Sequence, residues 1–255
     1  MKKNSYEMYA TKRKANQAYH WRTVRKTLNA VVGEMSVEVE RKFLCSADIL
    51  KTLEEIGAVC VGQLQFRDQY FDTPKFDLTL RDVWLRKRKG RWELKCPATV
   101  NVTEGTGGEQ SKAQAALCTR YKEITNLPEI QLRVKEVIKD ICADRETNSS
   151  QEDESWLSKM NLVCFAEFTT VRRSFTLEEE GVQIDLDQAD FGYHVGEIEV
   201  LVPEGGDVQS ALEKIERTAR KLGLTGDQRV EGKMTVYLKM NHPEHYAKLL
   251  SEHVL

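Results

Sequence analysis

The sequence has no apolar run approaching the ~20 residues that a membrane-crossing helix needs. It also lacks the basic-then-apolar opening of a secretory signal. Neither a membrane protein nor a secreted one is expected; the expected location is cytoplasmic. Paired cysteines are missing too. Cys45, Cys60, Cys96, Cys118, Cys142 and Cys164 form no CxxC pair, and none lies near a histidine at zinc-finger spacing. Reduced thiols without zinc are the simplest reading. Asn101-Val102-Thr103 fits a glycosylation sequon, which carries little weight without a secretory signal. There is no internal repeat.

A surplus of positive charge is also absent where it would matter. The 255 residues carry a formal net charge of −2, and residues 1–34, with eight Lys/Arg and two Glu, contribute +6, which leaves −8 for the rest. A non-specific nucleic-acid binder is basic over its folded part, so nucleic acid is not an expected partner. An acidic chain that holds an anion must concentrate its cations or recruit metal ions. The basic segment 1–34 is read as an N-terminal extension, expected to be flexible. A targeting segment, or an upstream addition to a chain starting at Met35, stays open.

What the sequence does have is alternation. From Val37 onward, period-2 patterning predicts strands at 36–44, 64–73, 82–88, 91–96, 120–125, 162–177, 181–187, 195–202 and 233–239. Lys89-Gly90-Arg91 reads as a hairpin turn. Helical spacing predicts a helix capped by Ser46 and stopped by Gly57, then helices over 129–142, 207–222 and 243–253. The stretches 98–112 and 143–155 read as loops.

Residues i and i+2 of a strand share a face. Glu38, Glu40 and Lys42 therefore share one, opposite Val37, Val39 and Phe43. Trp84, Arg86 and Arg88 share another, as do Glu93 with Lys95, Asp185 with Asp187, and Glu197 with Glu199. Taken singly, each could be the solvent face of an ordinary antiparallel strand. As a set they segregate by sign, whereas surfaces usually mix signs. The apolar faces also need cover, and amphipathic helices are available to supply it. A sheet covered outside and closed on itself leaves a tunnel of charge. Mg²⁺ with a polyphosphate would satisfy such a lining, because carboxylates hold the hard cation and Arg and Lys take phosphate oxygens.

Glu38-Val39-Glu40-Arg41-Lys42 is the ExExK signature of the CYTH superfamily, and the chain resembles it well beyond that point. The likeness runs through Phe66–Pro74, Trp84–Arg88, Trp92–Pro97, Tyr121–Thr125, Asp185–Tyr193 and Gly196–Glu199. These are triphosphate tunnel proteins, and within them the chain is similar to the thiamine triphosphatases. The resemblance implies an α+β, mainly β fold: a closed eight-stranded antiparallel tunnel with helices outside, here over 35–255. It implies Mg²⁺ held by Glu38, Glu40, Asp185, Asp187, Glu197 and Glu199. It implies phosphate binding by Lys42, Arg86, Arg88, Lys95, Arg173 and Lys233, although alternation alone cannot separate Arg173 from Arg172. Glu199 also counts among the substrate-binding residues. Glu123 matches a lumen carboxylate of no assigned role.

The expected reaction is hydrolysis of thiamine triphosphate by in-line attack of water. Lys95 is the expected proton acceptor, in a dyad with Tyr70 that the family suggests and with its pKa lowered by neighbouring arginines; the alternative is that Lys95 only binds phosphate. Trp84 is expected to stack on the cationic thiazolium ring, against a plain packing role. His194 is read as structural, and His242 and His245 as solvated. A monomer acting on a small molecule is expected. A general tripolyphosphatase or nucleoside triphosphatase, and a non-catalytic polyphosphate-binding module, are the competing readings.

Overall fold

The structure is a computed structural model and describes residues 36–98, 115–139, 155–203, 205–226 and 228–255. The expected extension 1–34, the start at Met35, most of the loops at 98–112 and 143–155, the end of the helix expected over 129–142, Cys142 and Asn101 lie outside the described residues.

The alternating segments form β1 (Ser36–Phe43), β2 (Val59–Asp72), β3 (Trp84–Arg88), β4 (Arg91–Pro97), β5 (Cys118–Ile124), β6 (Val163–Leu177), β7 (Val182–Ala189) and β8 (His194–Pro203). The order β1-β5-β4-β3-β2-β6-β7-β8 closes on itself, with β8 antiparallel to β1. This is the expected eight-stranded antiparallel barrel. Six helices accompany it among the described residues: α1 (Ile49–Glu55), α2 (Leu127–Lys139), α3 (Ser155–Lys159), α4 (Val208–Lys221), α5 (Lys233–Asn241) and α6 (Pro243–Ser251).

The barrel is apolar outside and charged inside. Val39, Phe43, Ile184, Ile198 and Val200 pack with Leu53 of α1 and Ala211, Ile215 and Ala219 of α4. Leu85, Leu94 and Ile124 pack with Ile130 and Val134 of α2 and Trp156 of α3. Each such side chain contributes ~1.5–3 kcal/mol by leaving water, so the helices decide which face of the sheet points in. Arg41 shows the parity within the ExExK run. It lies outside, bonded to Glu216 on α4 at 2.9 Å and to the Gly226 carbonyl at 3.1 Å. At the β1–β8 seam Gly196 lies opposite Phe43, and a Cβ there would sit 2.1 Å from the Phe43 ring. Only glycine lets the ring lie over β8.

Four local expectations are corrected. Residues 233–239 are not a strand but the first turns of α5, with the Val236 amide donating to the Gly232 carbonyl at 3.1 Å. Their alternation resembles a strand, but β1–β8 pairing already closes the barrel and leaves no edge to extend. The residue capping α1 is Asp48, not Ser46, and its side chain makes no capping bond. The loop expected over 143–155 gives way at Ser155 to the single turn of α3, because Trp156 is drawn into the apolar cluster, only 1% exposed. His245 is not solvated but 1% exposed.

His245 fixes α6 to the barrel. Its ring stacks on Phe76 at 3.7 Å between centroids, and its Nε2 lies 2.8 Å from Thr79 Oγ1. Thr79 Oγ1 already donates to Asp72 Oδ2 at 2.7 Å. The imidazole must therefore donate through Nε2, which leaves Nδ1 as the buried acceptor without a partner. Burial, with His242 and Lys248 nearby, pushes its pKa down to about 4. The unfolded chain takes up this proton near pH 6.5 and the folded chain only near 4, so its contribution to stability is full above 6.5 and is lost as pH falls through that window. His245→Phe keeps the stack and removes the titration. Its melting temperature is expected to fall less steeply than the wild type's between pH 6.5 and 4.5; parallel slopes would refute this account.

Candidate active site

The barrel encloses a cavity of about 1210 Å³ whose lining carries eight acidic and eight basic side chains. Asp68, Asp185 and Asp187 lie beneath them, 0–2% exposed. Carboxylates thus outnumber cations, which leaves room for a further positive charge.

The six carboxylates expected to hold metal come from three adjacent strands. Glu40 lies directly across from Glu199, and Asp185 across from Glu197. Glu38 and Asp187 continue the two ends of the belt. A cation stands against most of them. Arg172 donates from Nε to Asp187 at 2.6 Å, from Nη1 to Asp185 at 2.6 Å and from Nη2 to Glu197 at 2.7 Å. Lys233 reaches in from the start of α5, bonding Asp187 and lying 3.3 Å from Glu197. Lys42 bonds Glu40, and Lys95 bonds Glu38. Thr119 adds a hydroxyl to Glu40 at 2.9 Å.

The expected Arg173 is corrected to Arg172. Arg172 pairs with Asp187 across β6 and β7 and points into the cavity; Arg173 points out, its guanidinium 5.2 Å from the Phe175 ring in the outer core. The other basic residues stand where the faces predicted. Arg86 donates from Nε to Glu93 at 2.7 Å and lies 3.9 Å from Glu123. Arg88 donates to Asp68 at 2.6 Å and lies over the Phe66 ring at 4.0 Å. Trp84 and Tyr70 also line the cavity, Tyr70 directly across from Arg86. His194 is exposed at the start of β8 and no part of the lining.

The electrostatics overturn one expectation. Burial, and the nearby Arg86, do disfavour a charged Lys95, but Glu38, Glu40 and Glu123 outweigh them and raise its pKa. Lys42 follows the same logic: burial lowers it, Glu40 and Glu197 raise it further, and the net shift is upward. Burial alone would push the Glu197 carboxyl up, yet Lys233, Arg172, Lys42 and Lys95 together hold it well below the usual range. Lys95 is therefore held as a cation here, bonded to Glu38.

Sequence reasoning missed Asp68, the buried partner of Arg88. It also missed Asp82, which accepts from Trp84 Nε1 and from Tyr121 O–H, each at 2.8 Å. Arg229 and Glu231 join the lining from the segment before α5. Asp68 shares the Phe66, Tyr70 face, so alternation contained it; nothing in the sequence named its partner.

The CYTH domain family matches residues 36–232, from the first strand to the loop before α5. The chain belongs to the CYTH family. Relatives within reach are the thiamine-triphosphatases of Homo sapiens and Macaca fascicularis, each 37% identical over 222 residues and spanning 84% of this chain and 89% of theirs. A solved protein of Pyrococcus horikoshii, PH1819, overlaps 80% of this chain and 98% of its own at 20% identity and a TM-score of 0.47.

The belt of this CYTH barrel suits Mg²⁺ by its donors, since all are carboxylate oxygens with little exposure. Among the described residues no three acidic, His or Cys side chains already converge as a cage. Glu38, Glu40, Asp185, Asp187 and Glu197 would each exchange a lysine or arginine for the ion.

Proposed function

We propose that this chain hydrolyses thiamine triphosphate to thiamine diphosphate and phosphate with Mg²⁺ bound on the belt of Glu38, Glu40, Asp185, Asp187, Glu197 and Glu199. The observation that carries this reading is the cavity wall on which Trp84 stands in line with Arg86 and Arg88, an aromatic face beside a phosphate-binding ladder. The identity to the thiamine-triphosphatases supports it. When bound, Mg²⁺ supplies positive charge to the phosphate oxygens.

The chain's own residues do the rest. Lys42, Arg86, Arg88, Lys95, Arg172 and Lys233 surround the cavity and would take the phosphate oxygens. Arginine forks fix the chain's direction by paired bonds. Water attacks the terminal phosphorus in line as the bond from that phosphorus to the bridging oxygen breaks; thiamine diphosphate leaves, the water's proton passes to a phosphate oxygen, and no covalent intermediate forms. The transition state is loose and asks mainly for positioning and charge neutralisation, so Lys95 acts here through its charge. The same reading makes the protein a cytoplasmic monomer acting on a small molecule, without nucleic acid. The net acidity of the chain beyond residue 34 supports the last point.

The deciding assay measures phosphate release with Mg²⁺ from thiamine triphosphate, ATP and tripolyphosphate side by side. Preference for thiamine triphosphate, abolished by EDTA, is expected. Equal rates would favour a general triphosphatase, and tight binding without turnover a polyphosphate-binding module. Trp84→Ala should raise KM for thiamine triphosphate by about tenfold, the scale of a cation–π contact, and leave KM for tripolyphosphate within about twofold. Equal changes for both would remove Trp84 from substrate recognition.

A further inference from the structure

Trp84 does not stand alone on the cavity wall. Asp82 Oδ1 accepts from its indole N–H and from the Tyr121 hydroxyl, each at 2.8 Å, so one carboxylate oxygen ties together side chains of β3 and β5. All three residues line the cavity. We propose that Asp82 is a specificity-determining positioning residue, which sets the Trp84 ring for stacking and offers negative charge to a planar cationic ring attached to the phosphate chain. The proposal rests on the function given above and extends it from Trp84 to the group behind it.

Three observations carry it. The first is conformation. Asp82 ends the 3-10 turn Thr79–Arg81 with φ 57° and ψ 29°, the left-handed region. Glycine would occupy that position with less strain, and a side chain kept there is kept for its contacts. The second is the inventory of bonds. Both of these hydrogen bonds fall on Oδ1. Oδ2 accepts no hydrogen bond among the described residues, and Asp82 is part of the cavity lining.

The third is contrast. The lining carboxylates Glu38, Glu40, Glu93 and Glu197 each have a bonded lysine or arginine. Asp82 is bonded instead to the neutral donors of two aromatic residues. Burial pushes the Asp82 carboxyl's pKa up, while its bonds from Trp84 and Tyr121 and the charge of nearby Arg229 act against that rise. Half-buried aromatic faces around a carboxyl group suit a desolvated organic cation, because ring quadrupole and negative charge act in the same direction. The same group repels a bare polyphosphate, so it discriminates by rejection as well as by attraction.

Two variants separate the components. Asp82→Asn keeps an oxygen acceptor for both donors and tolerates the left-handed backbone, but has no charge. Asp82→Ala removes charge and tether together. The readout is kcat/KM for thiamine triphosphate divided by kcat/KM for tripolyphosphate, with the KM and kcat parts reported separately. Asp82→Asn is expected to lower this ratio about tenfold through KM, the scale of one charge–charge or cation–π contact. Asp82→Ala is expected to lower it further. A ratio unchanged in Asp82→Asn overturns the proposal, and so do equal losses on both substrates in both variants, which mark a merely structural role. A wild-type enzyme with no preference for thiamine triphosphate refutes the proposed function before any variant is made. A selective wild type with unaltered variants refutes this inference alone.

Discussion

Arg172→Ala lowers kcat/KM for triphosphate hydrolysis by a factor on the order of 10²–10³, the scale of losing one donor that stabilises developing charge, while Arg173→Ala stays within about threefold. The two residues are neighbours in one strand, so the contrast tests the barrel's inner face directly. Arg172 is held by Glu197 of the cavity lining and by Asp185 and Asp187 beneath it. Removing it leaves Asp185, with little access to water, without a cation, and leaves Asp187 and Glu197 with Lys233 alone. A buried ion pair broken on one side costs about 3–5 kcal/mol, which is roughly 6–20 °C in melting temperature for a chain of this size. Arg173 covers an aromatic ring outside and costs far less.

The pH dependence of that deficit follows from Glu197. Burial opposes its charge, but Lys233, Arg172 and two further lysines hold its pKa well below the ordinary value. A depressed carboxyl adds stability above its unfolded pKa and loses it as pH falls through the folded one. Without Arg172 that contribution shrinks. The gap in melting temperature between wild type and Arg172→Ala is therefore expected to stay level down to about pH 5 and to narrow on further acidification, below the unfolded carboxyl value near 4.5. A gap that widens would show that Arg172 acts by packing rather than charge. Equal activity losses in Arg172→Ala and Arg173→Ala would refute the assignment of the inner face.

Lys95→Met is the second large effect. The ammonium sits among Glu38, Glu40 and Glu123 on the side of the cavity facing Arg86. Removing it deletes a phosphate ligand and unpairs Glu38, with an expected loss in kcat/KM of on the order of 10²-fold or more. Lys95→Arg restores the charge and should recover activity to within about tenfold. Arginine cannot serve as a base at neutral pH. Recovery by arginine therefore marks a charge role. A Lys95→Arg enzyme that binds substrate normally yet turns over more than about 10³-fold slower would restore the general-base reading.

Much of this site is legible in the sequence. Glu38, Glu40 and Lys42 share a face by spacing, and all three line the cavity. Arg86 with Arg88, and Glu93 with Lys95, lie together for the same reason. The resemblance to CYTH proteins added the closure into a barrel and the division between metal and phosphate ligands. Lys233 was read as a tunnel cation and is one, although it arrives on a helix. Alternation in Lys233–Lys239 was a poor guide because a period of two only signals a strand where an edge exists to pair with.

What the sequence by itself determined is the chemistry of each face: which residues travel together along a strand, and that charged faces lie opposite apolar ones. Tertiary structure alone decided which residues meet across strands. Asp68 lies 20 positions from Arg88, and Arg172 is 13 to 25 positions from its three carboxylates. Pairing register sets those encounters, and register depends on long-range hydrogen bonds and on the bulge between Cys60 and Gly62 in β2. The sign of the Lys95 shift was decided there too. A linear sequence counts neighbouring arginines, whereas the folded barrel sets three carboxylates around one ammonium, and at these distances the carboxylates prevail.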